Sequence, residues 1–252
     1  MKYIKGSLSI LWKVYIAIIF SIFAVLFYPF LYILLLNTKW KKTSFKFFIL
    51  WSWCIRIFCF YPVKKIIHSP IPSGPYVIVS NHVSYLDIFL MYSILPKSPF
   101  VFLGKSEILS YPIVRTYFKN LNIPVYRNDK KKAGRAYSEA LKSVNNGWSL
   151  VIFPEGTIPD DDAPKMLPFK QGAFKLAKAL NISILPVTFE NNHKLFSDPT
   201  NTWGPARPGI SIVHIHEVIT LEAIEKMDLS ELSDHCFEII SKPIMEKYPE
   251  LY

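Results

Sequence analysis

The stretch Tyr76-Val77-Ile78-Val79-Ser80-Asn81-His82-Val83-Ser84-Tyr85-Leu86-Asp87 sets the fold class. Five residues of apolar, β-favouring character are followed by a polar break and then by a second apolar segment, Ile88-Phe89-Leu90-Met91. That order reads as a buried strand, a loop and a helix, with His82 in the loop. Loops at strand ends are where α/β proteins place their chemistry. A neutral imidazole can take a proton from a hydroxyl, and a carboxylate on its other ring nitrogen fixes the tautomer and stabilises the cation that forms. On a continuous helix, residues five apart lie about 140° from each other. His82 must therefore precede the helix, with Asp87 in its first turn. The same residues also spell a helix cap, Ser84 with Asp87 three positions on, which involves no catalysis.

From about Pro62 onward strands alternate with helical stretches, the pattern of an α/β domain. Strands are expected at Tyr76–Ser80, Phe100–Gly104, Ile123–Tyr126, Leu150–Phe153, Ile184–Thr188 and Ile210–His214, and helices at Tyr85–Ile94, Lys132–Asn145 and Gln171–Leu180. Polar residues gather where these strands end. Arg127 follows one of them and offers a guanidinium fork for a phosphate or carboxylate, although its neighbours Asp129 to Lys132 equally describe a solvated charged loop. Val151-Ile152-Phe153-Pro154 ends at Glu155-Gly156-Thr157, where a glycine permits close backbone approach and a carboxylate can orient a hydroxyl or amide. Lys170 opens the next helix at Gln171-Gly172, a candidate anion position or a solvated face.

The front of the chain has a different character. Hydrophobic residues make up 51% of the 252 and aromatic residues 15%, and the excess is concentrated early. Val14–Leu36 is a 23-residue stretch without charge, long enough to cross a hydrocarbon layer of about 30 Å. Pro29 interrupts it, and lysines flank both sides: Lys2, Lys5 and Lys13 before, Lys39, Lys41, Lys42 and Lys46 after. The positive-inside rule then assigns no orientation. A second apolar stretch, Phe47 to Tyr61, carries Arg56 and is short for a span. The expectation is a membrane-embedded helical hairpin over residues 1–61, dipping into one leaflet with Trp40, Trp51 and Trp53 at the interface, or else a single true span. Residues 62–252 then form the α/β domain. The net charge of +10 fits anionic membrane lipids beside such an anchor; no nucleic-acid-binding pattern is present. Cys54, Cys59 and Cys236 have no metal-ligand spacing. His214 and His216 share a strand face without a third ligand nearby in sequence, so no metal is expected.

Together these blocks resemble the lysophosphatidic acid acyltransferase family, the 1-acylglycerol-3-phosphate O-acyltransferases, over roughly residues 60 to 220. Asn81-His82 through Asp87 matches the family's N-H-x4-D block, Val125 to Arg127 its arginine block, Phe153 to Thr157 its F-P-E-G-T block, and Leu185 to Thr188 its proline-containing strand. The resemblance implies a mixed, mostly parallel sheet flanked by helices. It implies that His82 is the general base and Asp87 its partner, and that the activated oxygen attacks an acyl carrier protein or coenzyme A thioester. Arg127 and Lys105 would hold the acceptor's phosphate, and Asn81, Glu155, Gly156, Thr157 and Lys170 would complete acceptor-side or acyl-donor binding. No cofactor is required beyond the thioester co-substrate. Size and domain simplicity point to a bacterial cytoplasmic membrane, with the site on the cytoplasmic face. One departure stands out: the family commonly continues F-P-E-G-T with Arg-Ser, whereas Ile158-Pro159-Asp160-Asp161-Asp162 follows here. Carboxylates near a phosphate repel it, which brings in a lyso-aminolipid as the competing acceptor. A non-catalytic membrane scaffold is the alternative of a different class.

Overall fold

The computed structural model describes residues 2–110, 112–126, 129–159, 163–198 and 200–251. Arg127 and Asp160 to Asp162 lie outside the described residues. The elements in chain order are α1 (Lys2–Leu36), α2 (Lys41–Phe58), β1 (Val63–Ile67), β2 (Val77–Ser80), α3 (Tyr85–Ile94), β3 (Phe100–Lys105), α4 (Pro112–Leu121) and β4 (Ile123–Val125). They continue with α5 (Lys130–Asn145), β5 (Ser149–Ile152), α6 (Gly172–Leu180), β6 (Ile184–Phe189), α7 (Asn192–Leu195), β7 (Ser211–Ile215), α8 (Leu221–Lys226) and α9 (Leu229–Lys247).

Seven strands form one mixed, mostly parallel sheet in the order β1-β7-β6-β2-β5-β3-β4. Every pairing is parallel except β6 with β7. β1 and β7 therefore run against the other five. Their starts lie at the same end of the sheet as the C-terminal ends of β2, β3, β4, β5 and β6, and that end carries the site. Central strands β2 and β6 are buried at every position, as expected for a sheet covered on both faces. β1 reads Val-Lys-Lys-Ile-Ile and is only partly buried, an edge strand whose lysines discourage further pairing.

The six strands and three helices expected from the sequence are present, with boundaries shifted by one or two residues. The front end needs two corrections. α1 continues through Pro29 without a break, and α2 begins at Lys41, six residues before the expected apolar stretch. The two helices pack antiparallel: Tyr15 Oη donates to the Phe58 carbonyl at 2.9 Å, and the Phe20 ring stacks on Trp51 at 5.0 Å and the Phe30 ring on Phe47 at 6.0 Å. Their inner faces join the core of the sheet. Phe45 meets Phe100 edge-on at 5.0 Å, and Tyr117 on α4 donates to the Ala24 carbonyl at 2.9 Å. The opposite face of α1 is also apolar, with Leu11, Val14, Ile18, Ile22, Val25 and Ile33 each more than half exposed.

Candidate active site

His82 sits two residues beyond the end of β2. Its Nδ1 lies 3.0 Å from Asp87 Oδ2, and the same oxygen accepts the backbone N–H groups of Val83 and Ser84 at 2.8 and 2.9 Å. Because a carboxylate oxygen only accepts, Nδ1 carries the proton and Nε2 is the basic nitrogen. The helix cap and the acid–base pair are one structure: Ser84 caps α3 by accepting from Leu86 N–H at 3.0 Å, while Asp87 closes the capping box and holds the imidazole. The His82 ring stacks on Phe153 at 4.1 Å with 16° between planes. That stacking fixes the remaining rotation. Asp87 is fully buried, whereas the His82 side chain keeps 13% of its surface open.

A side chain far away in sequence completes the Asp87 shell. Asn192, at the start of α7, donates through Nδ2 to Asp87 Oδ1 at 2.7 Å, and its Oδ1 accepts from Ser211 Oγ, on β7, at 2.6 Å. Asn192 is fully buried. Sequence reasoning missed both residues, and no local spacing signals them, since Asn192 lies 105 positions from Asp87. The only sequence cue is polarity, the run Glu190-Asn191-Asn192 that follows an apolar strand.

Glu155 and Asn81 occupy different positions from the substrate-facing ones expected of them. Glu155 is 1% exposed, with Oε1 accepting the His82 backbone N–H and Oε2 accepting the Leu167 N–H, both at 2.8 Å. It braces two loops. Burial pushes its carboxyl up to about 7, opposed by those two N–H donors. Asn81 is fully buried and clamps the end of β6, accepting Phe189 N–H at 2.8 Å and donating to Phe189 O at 2.9 Å. Both oxygens of Glu155 and both ends of the Asn81 amide are thereby committed to backbone. Gly156 has φ +75°, a left-handed conformation that a side chain disfavours. Thr157 is exposed, whereas Ile158 is buried, 8% exposed, at the position where the family commonly has a cation.

Lys105 ends β3 at the site's end of the sheet, paired in register with Val125 on β4. Lys170 has an exposed side chain, and its N–H donates to the Pro154 carbonyl at 3.0 Å, tying it to the Glu155 loop. His214 on β7, in register with Thr188 on β6, and His216 just beyond it form a separate cluster with His68. His214 Nε2 is 3.0 Å from Glu190 and its Nδ1 is 3.1 Å from His68 Nε2, and His216 is held 2.8 Å from Thr188 Oγ1. His68, without an identifiable partner in the sequence, has one in space.

The arrangement provides an oriented imidazole at one end of a mostly parallel sheet, with Lys105 ending β3 two strands away from β2. A family model described as Acyltransferase matches residues 44–190. The chain is 33% identical over 171 residues to the putative 1-acyl-sn-glycerol-3-phosphate acyltransferase acl-2 of Caenorhabditis elegans, covering 66% of this chain and 58% of that one. The 1-acyl-sn-glycerol-3-phosphate acyltransferase of Saccharomyces cerevisiae is 32% identical, with coverage of 70% and 60%. That of Borreliella burgdorferi is 30% identical over 195 residues, with coverage of 73% and 75%. The chain spans about three fifths of the length of the first two relatives. The crystal structure of PlsC, the 1-acyl-sn-glycerophosphate acyltransferase of Thermotoga maritima, superposes with a TM-score of 0.76 over 98% of both chains at 23% identity, a likeness of fold. On the matched family model and the similarity to the Borreliella enzyme, this chain belongs to the acyltransferase family.

Proposed function

We propose that this protein transfers a fatty acyl group from an acyl thioester, carried by acyl carrier protein or coenzyme A, to the free hydroxyl of 1-acyl-glycerol-3-phosphate, forming phosphatidic acid. The observation that carries the reading is the His82–Asp87 pair, with Nδ1 committed and Nε2 left to act. His82 Nε2 removes the acceptor's hydroxyl proton as its oxygen attacks the thioester carbonyl. The tetrahedral intermediate collapses with cleavage of the C–S bond, and the imidazolium returns the proton to the departing thiolate. Asp87 stabilises the transient imidazolium and holds its orientation. The step as written needs no metal or redox cofactor.

Lys105, Arg127 and Lys170 are assigned to the acceptor's phosphate, as the cations of the matched sequence blocks, with Lys105 at the end of β3 and Lys170 tied to the Glu155 loop. Gly156 and Thr157 are assigned to substrate contact at the exposed turn after β5. The membrane assignment rests on α1, where Gly6–Leu36 is long and apolar enough to cross a bilayer and its outer face is apolar and exposed. Within this reading α1 and α2 form the anchor, residues 62–252 the catalytic part, and the site opens at the cytoplasmic face of a bacterial membrane. A second acceptor, a lyso-aminolipid, is favoured by one observation: buried Ile158 stands where the family commonly has arginine.

The test is acyl transfer by membranes holding the full chain, given labelled acyl thioester and a panel of lysolipids. Lysophosphatidic acid is expected to be acylated, with His82→Ala reducing the rate by about 10²–10⁴-fold. Product from another lysolipid alone moves the acceptor assignment, and product that survives His82→Ala removes the catalytic reading in favour of a scaffold.

A further inference from the structure

A second site lies beside the reaction centre, where the C-terminal end of α2 meets the starts of β1 and β7. Trp53, Arg56, Ile57, Phe60, Pro62 and Gly209 line a cleft of about 420 Å³. The Gly209 N–H donates to the Phe60 carbonyl at 3.1 Å, and two residues later Ser211 bonds Asn192, which holds Asp87. The cleft and the His82 pair therefore open at the same end of the sheet.

Arg56 is the one charged residue in the lining. Its guanidinium lies 3.9 Å above the Trp53 ring, a cation–π contact that holds the fork in place. Its Nε is buried with no hydrogen-bond partner. Among the described residues no carboxylate pairs with Arg56. The neighbouring cation, Lys65, is also without a carboxylate and spends its ammonium on the Ile94 carbonyl at 2.7 Å. A partly buried guanidinium with an unsatisfied N–H is a standing electrostatic deficit that an anion relieves.

The surface around it identifies the anion's carrier. Trp53, Ile57, Phe58, Phe60 and Ile210 are 44%, 62%, 47%, 59% and 55% exposed. They continue the exposed apolar face of α1. A soluble anion would meet a surface built for hydrocarbon, whereas an amphiphile satisfies both halves. Guanidinium forks match phosphate oxygens two at a time, and tryptophan with arginine is the pairing found at headgroup depth. We infer that the Arg56–Trp53 cleft binds the phosphate-bearing headgroup of a diacyl phospholipid from the surrounding bilayer, at a site separate from His82. The inference rests on the reading of α1 and α2 as membrane-facing, and does not require acyl transfer to occur.

The experiment uses full-length protein in detergent, with retained lipid quantified by native mass spectrometry and no thioester present. The probes are phosphatidylglycerol, diacylglycerol with the same acyl chains, and glycerol 3-phosphate as a soluble competitor. Phosphatidylglycerol should be retained at least fivefold better than diacylglycerol. Arg56→Gln should abolish that preference, and Arg56→Lys, which keeps the charge without the fork, should weaken retention about threefold. If Arg56→Gln does not fold, the lysine variant still decides the matter, because unchanged retention there overturns the inference. Equal retention of diacylglycerol, or displacement by glycerol 3-phosphate alone, overturns it too. Loss of the lipid in His82→Ala as complete as in Arg56→Gln would place that lipid at the reaction centre and overturn the separate site. Failure of the acyltransferase assay with the phosphatidylglycerol preference intact would remove only the proposed reaction.

Discussion

Burial lifts the Glu155 carboxyl to about 7, while the N–H groups of Leu167 and His82 pull it down. Between pH 4.5 and 7 the folded chain holds a proton there that the unfolded chain releases. The stabilisation is complete below the ordinary glutamate value and is lost as pH rises through 7. Its size is at most about 3 kcal/mol at the conversion of 1.36 kcal/mol per pKa unit. Urea unfolding from pH 5 to 8 should therefore show wild type losing stability relative to Glu155→Gln as pH increases; a constant difference between the two would remove the assignment. Asn192 gives a second expectation. Asn192→Ala leaves Asp87 Oδ1 buried without its donor, a loss of about 1–3 kcal/mol. If that loss falls on the orientation of His82, kcat should drop on the order of 10–100-fold with acceptor KM nearly unchanged, and Ser211→Ala should give a smaller drop. A rise in KM alone would show that Asn192 serves binding instead. His82 and Asp87 were legible in the sequence because five residues and one helix cap connect them. Asn192 and Ser211 were not, because their geometry exists only after β6 and β7 have paired, and asparagine and serine carry no chemistry that stands out in a loop.

Elements were legible wherever periodicity and burial agreed. β2, β3, β5 and β6 are central strands with apolar runs, and each was readable. β1 was not, since Lys64 and Lys65 erase any alternation in an edge strand. α9 carried a signal that went unread: Leu232, Cys236, Ile240 and Ile244 recur every four residues and are buried, behind a capping box of Asp228 and Glu231. Its importance is packing, as Ile240 O accepts the Thr188 hydroxyl at 2.8 Å. α1 shows the limit of composition as a guide. Its inner face (Ile16, Ala24, Phe27, Leu31, Leu35) and its outer face are both apolar, so sequence alone could not say which side meets protein. The structure assigns the inner residues to α2 and α4 and leaves Ile22 and Val25 outward, 54% and 66% exposed. Replacing both by glutamate should cut vesicle binding at least tenfold without lowering the thermal midpoint, because neither side chain fills the core. A matching fall in stability would mean that this face packs against protein.

At the scale of the molecule, composition divides the chain near residue 61, but packing does not follow that line. The buried apolar residues form one contiguous core running from Ile16 on α1 through the sheet to Tyr248. Phe45 is a junction: 3% exposed on α2, it meets Phe100 of β3 edge-on at 5.0 Å and Trp148, beside β5, at 5.8 Å. A membrane anchor tethered by a linker would unfold apart from its enzyme, and a substitution at its contact face would leave the catalytic part unchanged. A shared core behaves otherwise. Phe45→Ala removes a large buried ring and should cost about 3–5 kcal/mol, which for a chain of this size lowers the thermal midpoint by roughly 6–20 °C. The loss should appear as a single transition for the whole protein in detergent, monitored both by tryptophan fluorescence, to which Trp51 and Trp53 of α2 contribute, and by amide exchange in β2 and β6. Two separate transitions, with β2 and β6 protected at the wild-type midpoint, would show that the sheet folds independently of the helices. The single transition would mean that a change on α1 or α2 is felt at His82, because the sheet that positions His82 is packed against those two helices.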